Sequence, residues 1–180
     1  LGLGGSHASQ ADFDAVRASA TRRYTLVRGA VQAMVPVSDV GTLSLRGSAQ
    51  ATSQALVPGE LFGIGGSMSV RGYEERELGG DRGAQATLEY TSPNFAEGWL
   101  GLKEAELHAV AFADAALVSS VKGATCLPAQ SRCHIAGAGA GLRLASRQAQ
   151  LRLDVAAALK DAATTERGDV RVHVGLNVNF

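Results

Sequence analysis

From Val170 to Phe180 apolar and polar residues alternate without a break. Val170, Val172, Val174, Leu176, Val178 and Phe180 fall on one side, and Arg171, His173, Gly175, Asn177 and Asn179 on the other. Period 2 of this kind specifies both faces of a β-strand. The preceding segment repeats it: Leu151, Leu153, Val155, Ala157 and Leu159 oppose Gln150, Arg152, Asp154, Ala156, Ala158 and Lys160. Asp161 to Gly168 is polar, so the two segments read as a hairpin. Upstream, Ala136, Ala138, Ala140, Leu142 and Leu144 alternate with Gly137, Gly139, Gly141 and Arg143. Alanine also favours helix, but each glycine there costs a helix about 1 kcal/mol. The segment is read as a strand with one face stripped of side chains, a sign that another backbone approaches closely.

Three more segments alternate in the same way. Leu107 to Leu117 sets Ala109, Ala111, Ala113 and Ala115 against His108, Val110, Phe112 and Asp114. Ala86, Leu88 and Tyr90 oppose Gln85, Thr87, Glu89 and Thr91. Leu43, Leu45, Gly47, Ala49 and Ala51 oppose Ser44, Arg46, Ser48 and Gln50. Phe13 to Tyr24 is taken as a further strand with weaker alternation, and Leu1 to Gly4 as the tail of an eighth. The expected fold is all-β and antiparallel, one unit over residues 1–180 with seven to eight strands.

A soluble sandwich would pack such apolar faces inward; a membrane barrel turns them to lipid and keeps the polar faces on a wet lumen. Periodicity alone does not separate the two. Strand lengths of about 10–13 residues suit a tilted bilayer crossing. Charges such as Arg152 and Asp154 on the polar faces, and an aromatic Phe180 closing the last strand, favour the barrel.

Composition narrows the choice further. The chain has 180 residues and a formal net charge of zero, so no basic excess points to nucleic acid. No apolar run approaches the ~20 residues of a spanning helix, and a membrane protein of this composition has to cross with strands. Aromatic content is 5%, low for aromatic girdles. The chain starts at Leu1 without a signal peptide, which for an exported barrel suggests a fragment or a processed form. Cys126 and Cys133 lack the companions of a zinc site; in an oxidising compartment they would close a small loop, and otherwise they are free thiols. The histidines are scattered, and Gly63-Ile-Gly65-Gly66 lacks the Lys-Ser/Thr ending of a phosphate loop. No catalytic set emerges, and neither enzyme activity, a metal nor a cofactor is expected.

One segment interrupts the alternation. Residues 54–83 are rich in glycine and charge and read as a loop without helix or paired strand. A connection of that length is usually functional. Within it lies Gly65-Gly66-Ser-Met-Ser-Val70-Arg71-Gly72-Tyr73. With Gly80-Asp-Arg-Gly83, Phe112-Ala-Asp114, Gly139-Ala-Gly-Leu-Arg143 and the last strand, in that order, this resembles the outer-membrane transporters of two-partner secretion, the ShlB/FhaC/HecB haemolysin activation and secretion family. Ala116 departs from the family's F-x-D-x-G pattern.

The resemblance implies the C-terminal half of a barrel similar to a sixteen-stranded one, with residues 54–83 folded inward as a plug loop. Phe180 would be the C-terminal assembly signal. The resemblance also implies that Arg71 meets Asp114, beside Phe112. A buried arginine needs a carboxylate, and Glu89 is a second candidate. Gly137, Gly139 and Gly141 would make room for the loop. The implied function is secretion of a large exoprotein across the bacterial outer membrane. Partners would be that exoprotein, delivered by POTRA domains, outer-membrane lipid and the barrel assembly machinery. An assembly factor of the same superfamily, or a soluble β-sandwich binding module, is the alternative. Connections 161–168, 121–132 and the Arg71 loop would then face outside, with 27–40, 93–103 and the turn near Ser146 in the periplasm.

Overall fold

The computed structural model describes residues 9–17, 19–96 and 104–179. Its strands are β1 (Val27–Pro36), β2 (Thr42–Ala51), β3 (Phe62–Ile64), β4 (Leu78–Gly80), β5 (Arg82–Thr91), β6 (Glu106–Ser119), β7 (Arg132–Ala145), β8 (Ala149–Ala158) and β9 (Val170–Val178). Seven of them form one antiparallel sheet in the order β1-β2-β5-β6-β7-β8-β9. Neighbours in the sheet are neighbours in sequence apart from the short β3–β4 pair. Among the described residues β1 and β9 each have one partner, so the sheet is a strip of barrel wall that is not closed.

The two faces of the strip are inverted relative to a soluble protein. Val172, Val174 and Leu176 are 61%, 68% and 67% exposed, while Asp114 and Asp154 are 2% and 0% exposed. A sandwich would bury the valines and wet the carboxylates. Here the apolar faces are bare and the polar faces are covered by the chain's own loop, as a lipid-facing wall requires. The sandwich alternative is thereby removed.

The first strand lies elsewhere than the alternation suggests. Phe13 to Tyr24 is not a strand: Gln10–Val16 is a short α-helix, α1, with a capping box between Ser9 and Asp12 and Phe13 buried. The strand is Val27–Pro36, within the stretch read as a turn, and only 37–41 connects it to β2. Direction is unchanged, so the grouping of ends holds. Connections 37–41, 92–105 and 146–148 lie at one end, and 52–81, 120–131 and 159–169 at the other. The longest connection, 52–81, marks the second end as the outer one, where such barrels carry their longer loops.

The long loop also contains paired structure, against expectation. Phe62, Gly63 and Ile64 pair with Gly80, Gly79 and Leu78. The reason is burial: Ile64 and Leu78 join Val70, Tyr73, Val118, Cys133 and Ile135 in the main apolar cluster, with Phe62 packed against it. Cys126 and Cys133 form a disulfide that ties the 120–131 connection to the start of β7. Leu1 to Gly4 and Phe180 lie outside the described residues.

Candidate functional site: a loop pinned to the inner wall

The register sets the inner wall. Thr87, Asp114, Gly137 and Ala158 lie side by side across β5 to β8, and Glu89, Phe112, Gly139 and Ala156 form the next row. The loop crosses these rows. Gly65 and Gly66 make its first turn, in which Ser69 N–H donates to Gly66 O at 3.1 Å and Gly66 N–H to Val70 O at 3.1 Å. Val70 packs into the apolar cluster, and Arg71 follows it onto the polar rows.

Arg71 is buried and meets Asp114 as a fork. Nε donates to Oδ2 at 2.7 Å and Nη2 to Oδ1 at 2.8 Å, while the Arg71 backbone N–H adds a bond to Oδ2 at 3.1 Å. Its third nitrogen, Nη1, donates to Glu89 Oε2 at 2.9 Å and lies 3.5 Å from Asp154 Oδ2. The guanidinium carbon sits 3.2 Å from the centre of the Phe112 ring, which adds a cation–π attraction. Both expected partners, Asp114 and Glu89, are thus engaged at once. Lysine could not do this, because three nitrogens fixed in one plane donate to two carboxylates.

Three residues outside the expected loop-anchoring set complete the cluster. Arg143 donates from Nη1 to Asp154 Oδ1 at 2.6 Å and from Nη2 to Glu89 Oε2 at 3.3 Å. Arg152 Nε donates to Asp154 Oδ2 at 2.7 Å. Arg143 and Arg152 stand directly opposite in the ladder, a repulsive placement for like charges; Asp154 between them offsets it. The result is three arginines against three carboxylates, in which Glu89 and Asp154 are shared between arginines and Asp114 is held by Arg71. The sequence did carry a signal for them, since all lie at polar positions of alternating strands.

The glycines serve three different neighbours. A side chain at Gly137 would run into the Arg71 carbonyl, so this glycine lets the loop approach the wall. At Gly139 it would meet the Phe112 ring and the Val155 carbonyl, and at Gly141 the Asp154 carboxylate. Only Gly137 makes room for the loop itself; the other two seat Phe112 and Asp154. Gly72 has φ +97° and rests on the backbone of Ala157 and Ala158, a position closed to larger residues. Its N–H points at His173 Nε2, 3.3 Å away. The Tyr73 hydroxyl lies 2.8 Å from the carbonyls of Ala136 and Lys160 and accepts the Lys160 N–H at 3.1 Å.

A second arginine–aspartate pair, absent from the sequence reading, holds the loop's exit. Arg17, just after α1, forks onto Asp81 at 2.7 and 3.0 Å. Asp81 also accepts the N–H groups of Leu56 at 2.7 Å and Val121 at 2.8 Å. Burial works against its charge, but Arg17 and the two amides outweigh it and hold the carboxyl below its ordinary range. Between the loop tip and β1, β2 and β5 a cleft of about 340 Å³ remains, lined in part by Gln32, Arg46, Ser48, Gln85 and Thr87. No metal-binding cluster occurs among the described residues.

No curated protein sequence matches the chain. Its fold matches that of CdiB from Escherichia coli with a TM-score of 0.74 and 19% sequence identity, over 96% of this chain and 30% of CdiB. The chain therefore spans about a third of the length of that structure. The Omp85 superfamily domain matches residues 5–180. With an apolar outer face, a polar inner face and a loop pinned by buried charges, the chain belongs to the Omp85 superfamily and is part of the wall of one of its bacterial outer-membrane β-barrels.

Proposed function

We propose that this barrel is a two-partner secretion transporter and passes one large exoprotein, of the haemolysin or adhesin type, from the periplasm to the exterior. The observation that carries the reading is Arg71 seated on Asp114 and Glu89. It joins the V-R-G-Y loop to the F-x-D strand, the two motifs on which the resemblance to those transporters rests. The same fold in CdiB supports the architecture. In this reading an unfolded cargo enters through POTRA domains and threads the lumen past the fixed loop. The cleft beside the loop tip, polar on its β2 and β5 walls, suits an extended polypeptide, whose backbone needs hydrogen-bond partners throughout. Lipid surrounds Val172, Val174 and Leu176, and the barrel assembly machinery inserts the chain.

The test is secretion by cells carrying the intact transporter with its neighbouring exoprotein gene. Wild type is expected to release the exoprotein to the medium, and Arg71→Ala and Asp114→Ala to insert in the membrane but release little. Depletion should leave the levels of other outer-membrane barrels unchanged. A general fall in those barrels, with exoprotein release unaffected by the loop variants, would replace this reading with an assembly factor.

A further inference from the structure

Glu77 lies where the loop turns back toward the outer end, six residues beyond Arg71. Its carboxylate collects donors from the connection between β8 and β9. Oε1 accepts the N–H groups of Thr164 and Thr165, each at 2.8 Å, and the Thr164 hydroxyl at 3.2 Å. Oε2 accepts the Thr165 hydroxyl at 2.6 Å and the N–H of Glu74 at 3.1 Å. Thr165 is buried. Successive amides of this kind form a concavity that suits an anion. Burial opposes the charge on Glu77, yet the donors, Thr165 foremost, outweigh it and bring the carboxyl down to about 2. None of these groups touches the six-charge cluster.

We propose that Glu77 is a positioning residue: it latches the outer end of the loop to the β8–β9 connection, independently of the inner anchor at Arg71. The contacts between the two anchors support this division. Gly72 meets His173 of β9, Tyr73 meets Lys160 beyond β8, and Glu74 pairs with Arg171 of β9 at 3.1 Å. Residues 72–77 therefore form a strap across the last hairpin. β9 pairs with β8, and the strap meets it at His173 and Arg171. The loop and the β8–β9 hairpin consequently move as one body, and withdrawing the loop requires breaking a fully satisfied carboxylate.

Two readouts on the intact outer-membrane protein separate the anchors. Arg167 is exposed within the latched connection, so trypsin cleavage after it reports the outer anchor. Spin labels at Met68, on the loop tip, and Gln148, in the opposite turn, report the inner one. Glu77→Ala should raise cleavage after Arg167 about tenfold or more through local opening and leave the Met68–Gln148 distance distribution narrow. Thr165→Val, which keeps both amides, should give a smaller increase in the same direction. Arg71→Ala should do the reverse, broadening the distance and sparing Arg167. Unchanged cleavage in Glu77→Ala overturns the latch. So does a broadened distance in both Glu77→Ala and Thr165→Val, which would mean general loosening. Neither readout needs a cargo, so the result stands apart from the secretion test.

Discussion

Two arginine–aspartate pairs hold the same loop, and they are built differently. Arg71 reaches Asp114 at mid-wall, where the arginine side chain is 2% exposed and the aspartate 0%. Beyond the guanidinium, the bonds to Asp114 come down to the backbone N–H of Arg71 itself. Arg17 reaches Asp81 at the outer end, where the arginine side chain is 15% exposed and the aspartate has two amide donors from other segments. In the first pair every donor to Asp114 among the described residues belongs to Arg71, so the carboxylate depends on the arginine. In the second, the backbone already solvates the carboxylate and water reaches the arginine. A fork of similar geometry is thus a keystone in one place and a reinforcement in the other.

The largest effect is expected for Arg71→Ala. It leaves Asp114 buried with a single donor and Glu89 with Arg143 alone, which should cost about 3–5 kcal/mol. Denaturant unfolding of the refolded barrel would show it as a lower midpoint. Adding Asp114→Ala should cost little more, because the two residues act as a unit. Additive losses would break the keystone half of the comparison.

Arg17→Ala should cost less, about 1–2 kcal/mol, since charge-assisted hydrogen bonds go but no bare charge remains. The same unfolding measurement applies. A loss equal to that of Arg71→Ala would erase the distinction drawn above.

Acidification gives the smallest effect. Asp81 is held below its ordinary range. Its contribution is therefore complete above the unfolded-state value and fades only as pH falls through the lowered one. Between about pH 7 and 5 the loop exit should keep its stability, read as a constant melting temperature. A loss within that window would mean that Asp81 is not held ionised by Arg17 and the amides.

Legibility in the sequence followed the physics of each region. Strands β2 and β5 to β9 were readable because one face meets lipid and the other a polar interior, which imposes period 2. β1 was not. Its inward face carries Ala30 and Met34 beside Arg28 and Gln32, and it ends in Pro36, so the alternation blurs. α1 hid behind apolar spacing at Phe13 and Val16, although Ser9 and Asp12 spelled a capping box. The β3–β4 pair was masked by glycines at 63, 79 and 80, whose strand geometry comes from packing over Val118 rather than from local propensity.

What the sequence determined alone was the two-faced character of the wall, the site of the loop and the need of Arg71 for a carboxylate. Each follows from local rules: side-chain period along a strand, glycine and charge in a connection, and the cost of an unpaired buried cation. Which carboxylates gather, and how many, only the tertiary structure decided. Asp154 comes within 3.5 Å of Arg71 because the register stacks β5 to β8, and Arg17 finds Asp81 sixty-four positions away. Such meetings depend on strand stagger and loop path, long-range geometry that no window of residues along the chain contains.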